Sequence, residues 1–244
     1  MALLTQSPPA SSLYNASTSQ PPDDVSGRAH RQLIGYIGLV LPILLVLIDR
    51  VRHRNVPGPW GIQDSISAYY YTGAVAAFVG LLIALALFLF TYRGYKNKYQ
   101  WADRAVAVTA AVAAVLVAFF PTRVPEGTPA PAWWTQTTGV LHYVSAIVLF
   151  SMFAVFSLWL FRLTARDDQP PADKRRRNGV YLVCGVVIVG SMVWAGVAGA
   201  SGKPIFLPES FALVAFAASW LIKGQAHKTI ANAARSITGQ QRAE

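Results

Sequence analysis

Apolar residues in this chain form six long runs, and the polar residues lie between the runs instead of alternating with apolar ones. In the hydrocarbon core of a bilayer each backbone polar group must be bonded within its own segment, which favours helices of about 20 residues. Period-two alternation, typical of membrane barrels, is absent from the sequence. The pattern therefore predicts an all-α, polytopic membrane protein, a six-transmembrane-helix bundle whose helices cover residues 33–48, 73–92, 105–120, 138–161, 180–200 and 205–222.

The composition agrees with this assignment. Of the 244 residues, 54% are hydrophobic and 13% are charged, whereas a soluble domain carries about 25% charged residues. Residues 1–27 are rich in Ser, Pro, Thr, Gln and Asp, which predicts a disordered cytoplasmic tail. Residues 225–244 are predicted to form a second cytoplasmic tail, so the transmembrane domain is expected to span residues 28–224.

The basic residues predict how the helices are oriented. Sixteen Lys and Arg side chains lie in segments on the N-terminal side of the bilayer, and five lie on the opposite side. Because segments rich in Lys and Arg stay in the cytoplasm, we expect an N-in/C-in, multi-pass protein of the cell inner (cytoplasmic) membrane. Membrane lipids as partners then account for the net charge of +10. The sequence has no nucleic-acid-binding motif, Walker motif or GxGxxG, so we expect no nucleic acid and no nucleotide as partners, and it predicts no particular oligomeric state.

Polar residues collect where the second, fourth and sixth helices begin, and in the predicted orientation these positions share the outer face. His142 lies in the first turns of the fourth helix, and Glu209 lies near the start of the sixth. If the second helix starts near Asp64, one stripe of it contains Asp64, Ser67, Tyr71 and Thr72. Because ionisable groups at membrane depth usually face the bundle interior, we expect a polar pocket. The candidate ligand-binding residues are Asp64, Ser65, Ser67, Tyr71, His142, Ser145 and Glu209.

The leading function for this cluster is binding of a lipid or small amphiphile at an outward-facing pocket, which includes moving or sensing it. The first alternative is a membrane-embedded lipid hydrolase that uses a metal. Asp64, His142 and Glu209, with His53 as a further candidate, have the ligand types of a catalytic zinc site. No HExxH or His-rich spacing supports that metal site.

A second form of hydrolase would use Ser/His chemistry. Ser65 or Ser67 would be the nucleophile, His142 the base, and Asp64 or Glu209 the group that orients the base. The remaining alternative is a structural or assembly protein without a small-molecule site. In that case Asp64 caps a helix and His142 forms a hydrogen bond between helices.

The fifth helix carries two further features. Arg175, Arg176 and Arg177 form a dense basic run that is a candidate site for anionic lipid headgroups on the inner side. The favoured explanation of this run is its role in orienting the helices. Gly185 and the small residues 196–200 are expected to let the fifth helix pack closely on its neighbours.

Several short motifs resemble those of a group of uncharacterised bacterial six-helix membrane proteins. More distantly, the order Ile-Ser, Phe-Pro, His is similar to a domain-of-unknown-function family and to DRAM/Sfk-like membrane proteins. The resemblance covers residues 33–223 and implies a fold but no known reaction. In the distant relatives the first motif reads Ile-Ser-Asp, whereas here Ala68 follows Ser67 and the acid is Asp64. The motifs are Asp64-Ser65-Ile66-Ser67-Ala68-Tyr69-Tyr70-Tyr71-Thr72, Tyr92-Arg93-Gly94-Tyr95, Phe120-Pro121-Thr122, His142 with Ser145-Ala146, and Lys174-Arg175-Arg176-Arg177-Asn178.

Overall fold

All six apolar runs form α-helices, which confirms the predicted all-α fold. The structure, a computed structural model, describes residues 22–52, 62–94, 99–163 and 172–226, and these residues contain no β-strand. Two short 3₁₀ helices, η1 (Ser67–Tyr71) and η2 (Leu160–Arg162), lie before the second helix and after the fourth. The six α-helices are α1 (Pro22–Arg52), α2 (Val75–Thr91), α3 (Gln100–Phe119), α4 (Gln136–Leu158), α5 (Ala172–Ala200) and α6 (Phe206–Lys223).

The helices have the length and composition of membrane spans. All except α2 are long and apolar enough to cross a bilayer, and α2 is a shorter apolar helix of 17 residues. At 1.5 Å per residue α2 extends about 25 Å, slightly less than the hydrocarbon core. Large apolar side chains are exposed on the outer faces of the bundle, for example Ile147 and Val193, as expected where lipid is the solvent. The chain is therefore a multi-pass membrane protein.

The helix starts differ most from the predicted ones at α1 and α5, and residues 63–74 do not extend α2. α1 begins at Pro22, inside the segment assigned to the N-terminal tail, so it is far longer than the apolar run at its centre. α5 begins at Ala172 and takes in the basic run, because Lys and Arg are good helix formers and their long side chains reach beyond the apolar region. α2 begins only at Val75, and residues 63–74 take an irregular path instead.

The helices form a closed ring of neighbours. Each α-helix packs on the next one in sequence, and α6 returns to pack against α1. Close approaches rely on glycine: a Cβ atom at Gly35 of α1 would lie 2.7 Å from Leu221 Cγ of α6. At Gly185 of α5 it would overlap with the Leu158 side chain of α4, which agrees with the predicted packing role of that glycine. These contacts fix the helix order around the bundle.

The ring has two chemically different ends. The site end contains η1, the end of α3, and the first turns of α4 and α6, which contact one another through His142, Glu209 and Tyr71. The basic end contains the start of α5 and the end of α6, where Lys174 and Lys223 lie. Which end faces the cytoplasm remains a prediction.

Candidate functional site

The segment before α2 is where the site begins, and it does not extend α2 back to Asp64 as the predicted stripe requires. The hydroxyl of Ser65 accepts a hydrogen bond from the amide of Ala68 at 3.0 Å, which starts the η1 turn. Thr72 then has extended backbone angles and ends η1. Ser and Thr hydroxyls compete with helical bonds in this way, so they favour turns. The proposed stripe of Asp64, Ser67 and Tyr71 on one helix face is therefore wrong.

Asp64 acts through its backbone. Its carbonyl oxygen accepts hydrogen bonds from the amides of Ile205 at 2.6 Å and Phe206 at 2.8 Å. These amides lie at the start of α6, where helical N–H groups have no partner of their own. The Asp64 side chain is exposed. Asp64 therefore caps α6 and does not join the predicted polar pocket.

Ser67 and His142 form a buried hydrogen-bonded pair between η1 and α4. Ser67 Oγ lies 2.8 Å from His142 Nε2, and His142 Nδ1 lies 2.7 Å from the carbonyl oxygen of Phe120. The exposed fractions are 8% for Ser67 and 2% for His142. A carbonyl oxygen only accepts, so Nδ1 carries a proton and donates it to Phe120. In the neutral ring Nε2 is then an acceptor, and Ser67 donates to it.

Glu209 links α6 to the same segment. Its Oε2 accepts a hydrogen bond from the amide of Ile66 at 2.7 Å, directly before Ser67 in the chain. Within the described part of the chain this is the carboxylate's single hydrogen bond, so Oε1 has no protein partner there. A carboxylate in the first turn of a helix also interacts favourably with the helix dipole. Glu209 thus holds η1 in place and keeps one oxygen available.

Two neighbouring voids border these groups. The larger is a groove of about 390 Å³ between α4, α5 and α6, and of the described residues that line it Glu209 alone is charged. The smaller is a cavity of about 40 Å³ inside the bundle, and Ser67 and Glu209 both line it. The two voids share Ala146, Phe150 and Glu209 as walls. Glu209 therefore borders both the apolar groove and the inner cavity, whereas Ser67 borders the inner cavity and not the groove.

The remaining predicted site residues lie elsewhere. Ser145 is buried one turn beyond His142, but it lines neither void. The hydroxyl of Tyr71 donates to the carbonyl of Thr122 at 2.7 Å, which ties η1 to the end of α3. Partial burial raises the pKa of Tyr71 to about 12, because water stabilises the phenolate better than the protein does. Burial likewise raises the pKa of Tyr69, a residue of η1 that is fully buried in the hydrophobic core of the bundle.

The predicted zinc ligands are not brought together. Among the residues that the structure describes, no three His, Cys, Asp or Glu side chains are grouped closely enough to hold a metal ion. Asp64 points to the exterior, while His142 and Glu209 are each bonded to different parts of the 66–67 segment. His53 lies outside the described residues. Among these candidates, Ser67 and His142 are the two side chains in direct hydrogen-bond contact within the described residues.

At the basic end the cationic side chains bond to helix carbonyls. Lys174 Nζ donates to the carbonyl of Phe161 at 2.8 Å, and Lys223 Nζ donates to the same oxygen at 3.3 Å. Of the predicted headgroup ligands, Arg175 and Arg176 are exposed and Arg177 is half-buried, all within the first turns of α5. Headgroup binding by these arginines remains a prediction.

Sequence reasoning missed the backbone groups that complete the site. The carbonyl of Phe120 orients His142, and the amide of Ile66 holds Glu209. One signal was available for the first: Pro121 follows Phe120 and ends α3 there, which releases that carbonyl from the helix. No sequence signal marks the Ile66 amide, since every residue except proline has one.

Comparison with known proteins gives a family but no activity. No curated protein and no solved structure matches the chain. The sequence predicted an uncharacterised family, and one family model does match. It covers residues 60–224 and so contains η1, His142 and Glu209. The chain therefore belongs to the family described as "Protein of unknown function (DUF998)".

Proposed function

We propose that this protein binds a membrane lipid or a similar amphiphile in the groove between α4, α5 and α6. The apolar tail lies along the groove, and the polar end lies against Glu209. The observation that carries the proposal is an apolar groove of about 390 Å³ with a single carboxylate in its lining. Ligand pockets typically have volumes of about 300–1,000 Å³, with mostly apolar walls and a few polar groups.

The walls of the groove suit an apolar chain that enters from the bilayer. Ile147 and Tyr143 line it and are 61% and 45% exposed, so the groove opens to the surroundings of the bundle. On the α5 side Gly196 leaves the wall open, because a Cβ atom there would meet nothing within 4 Å. Gly196 therefore makes room for a ligand. The sequence had suggested a different role, in which this glycine lets a neighbouring helix pack closely.

Glu209 selects the polar end of the ligand. Its Oε1 has no partner among the described residues, so it is available to accept a hydrogen bond or pair with a cation. A carboxylate in an apolar wall favours a group that donates hydrogen bonds, such as an ammonium or a hydroxyl. Phosphatidylethanolamine has both an ammonium group and acyl chains, so it is a suitable probe.

The test is photocrosslinking with phosphatidylethanolamine that carries a diazirine in one acyl chain. The protein is reconstituted in vesicles of phosphatidylcholine that contain a small fraction of this probe. We expect labelled peptides from α4, α5 and α6 around the groove, and at least a fivefold loss of that labelling in Gly196→Leu. The leucine fills the groove without a clash at its Cβ position.

Gly190→Leu is the matched control. Gly190 lies on the same helix, and a Cβ atom there also meets nothing within 4 Å, but it does not line the groove. Both changes gain about the same helix propensity. Equal labelling of the groove peptides in both variants, or labelling spread evenly over all exposed helix faces, would contradict the proposal.

A further inference from the structure

The Ser67–His142 pair has the arrangement of a nucleophile and its base. We propose that Ser67 attacks an acyl ester carbonyl of the amphiphile in the groove, with His142 as general base. This inference rests on the proposed binding function, since the groove presents the ester. The geometry that carries it is the chain of two hydrogen bonds from Ser67 Oγ to His142 Nε2 and from Nδ1 to the Phe120 carbonyl.

The first requirement for such a pair is a base in the correct tautomer. The Phe120 carbonyl fixes the proton on Nδ1, so the lone pair of Nε2 points at the Ser67 hydroxyl at 2.8 Å. This distance lies within the range of about 2.6–3.2 Å expected for a nucleophile and its base. A carboxylate serves as the orienting group in the best-known triads. Here a backbone carbonyl has that role, so neither Asp64 nor Glu209 is the orienting group.

The second requirement is access for the substrate. Ser67 lines the 40 Å³ cavity, and this cavity and the groove share Ala146, Phe150 and Glu209 as lining residues. Ala146 is small and Phe150 is half-buried, so the inference requires the Phe150 ring to move and connect the two spaces. The polar end of a ligand held at Glu209 then lies beside Ser67. The inner cavity also exceeds the volume of about 10–15 Å³ that one water requires.

The reaction balances with water as the only co-reactant. Ser67 Oγ forms a bond to the ester carbonyl carbon as its proton passes to His142 Nε2. The bond between that carbon and the alcohol oxygen breaks, and the leaving alcohol takes the proton from Nε2. Water then attacks the acyl-serine and gives a proton to Nε2, which returns it to Ser67 Oγ as the carboxylic acid leaves. The sum is ester plus water to acid plus alcohol, with no oxidation or reduction.

An alkyl fluorophosphonate with a terminal alkyne tests the nucleophile directly, because only an activated serine displaces its fluoride. The full-length protein in vesicles is treated with the probe, and the modified peptide is identified by mass spectrometry. We expect modification at Ser67, and a rate at least about 100-fold lower in His142→Ala, since a general base typically contributes about 10²–10⁴ in rate. Ser145→Ala is the control, because Ser145 is buried on the same helix but lines neither void.

His142→Gln keeps the inference testable if the alanine variant does not fold. The glutamine amide is able to donate to the Phe120 carbonyl but does not take up a proton, so we expect the same loss of labelling. If wild-type Ser67 is not modified in folded protein, the pair is only a structural bond and the inference fails. The groove is judged separately: loss of lipid crosslinking with Ser67 still modified would overturn the proposed binding site alone.

Discussion

Polar side chains bond to carbonyls at helix ends at both ends of the bundle, but the two ends differ in charge and in the space beside their polar groups. At the basic end they bond to backbone carbonyls where helices end: His30 to Phe88, Gln32 to Gly224, and Lys174 to Phe161. Cations and donors are favourable there because those carbonyls have no helical partner and carry the negative end of the helix dipole. At the basic end the ammonium groups of Lys174 and Lys223 thus satisfy a carbonyl at a helix end.

At the site end a buried side-chain pair lies beside empty space, whereas the buried pair of Ser157 and Ser219 towards the other end lines neither the groove nor the inner cavity. Ser67 and His142 pair across two elements beside a cavity, and Glu209 lies next to a groove with one oxygen unused by the described residues. The site end is poor in charge, whereas the basic end is rich in it. In this fold a candidate site is therefore marked by interior side-chain pairs next to empty space, and the density of charge is a marker of helix ends.

The largest expected effect concerns the side of the membrane on which each end lies. Single cysteines are placed at Arg176, exposed at the basic end, and at Ala132, exposed in the loop before α4, with Cys184 replaced by alanine. From the positive-inside rule we expect a membrane-impermeant maleimide to label the cysteine at 132 in intact cells. The cysteine at 176 should react only after permeabilisation. The reverse labelling pattern would contradict the N-in/C-in prediction. Labelling of both cysteines in intact cells would mean that the site end and the basic end lie on the same side of the membrane.

The next effect compares the stability of the two ends. His142→Ala leaves the Phe120 carbonyl and the Ser67 hydroxyl buried without their partner, so we expect a loss of about 3 kcal/mol in the free energy of unfolding. Lys174→Met should cost less than about 1 kcal/mol, because Lys223 still donates to the Phe161 carbonyl. Unfolding in mixed micelles with increasing denaturing detergent measures both. Similar losses in the two variants would remove the contrast between the ends.

The sequence was sufficient to predict the six helices, because apolar runs of this length have few alternatives in lipid. It was less reliable at their ends. A helix that starts near Asp64 was one interpretation of residues 63–72. In the structure the hydroxyls of Ser65 and Thr72 bond to nearby backbone amides, and the segment forms η1 instead. Residues 22–32 read as a tail and a flank, yet they continue α1, since polar side chains are compatible with a helix that leaves the membrane.

The sequence predicted which residues belong to the site, but it did not predict which of their side chains contact one another. His142, Ser67 and Glu209 were each selected because a polar group at membrane depth needs a partner. The sequence could not tell which of them meet, since the path of residues 63–74 decides that Ser67 turns inward and the Asp64 side chain turns outward. The groove was missed for a similar reason: Gly196 and Gly185 are the same residue type, but only Gly185 has a neighbour pressed against it.

A smaller effect sharpens the role of Glu209 at the site end. Glu209→Ala leaves the Ile66 amide without an acceptor, which should cost about 1–3 kcal/mol. Glu209→Gln retains an acceptor oxygen for that amide, so we expect a loss below about 1 kcal/mol. The same unfolding assay distinguishes them. If glutamine destabilises the fold as much as alanine, the negative charge matters more than the hydrogen bond, and Glu209 would resemble the charged residues of the basic end.

The smallest effect tests the tie between η1 and the end of α3. Tyr71→Phe removes one hydrogen bond to the Thr122 carbonyl, which should cost about 1 kcal/mol at neutral pH. Because the pKa of Tyr71 is raised to about 12 in the fold, its contribution is complete below the ordinary tyrosine pKa of about 10 and is lost as the pH rises from there towards 12.

The gap between wild type and Tyr71→Phe should therefore narrow as the pH rises from about 10 towards about 12, as measured by thermal unfolding in detergent. Every other tyrosine is present in both proteins, so the difference between the two pH responses isolates Tyr71. A gap that stays constant over this range would mean that the Tyr71 hydroxyl titrates outside it or does not hold η1. In the second case Ser67 would be positioned by other contacts, among them those with His142 and Glu209.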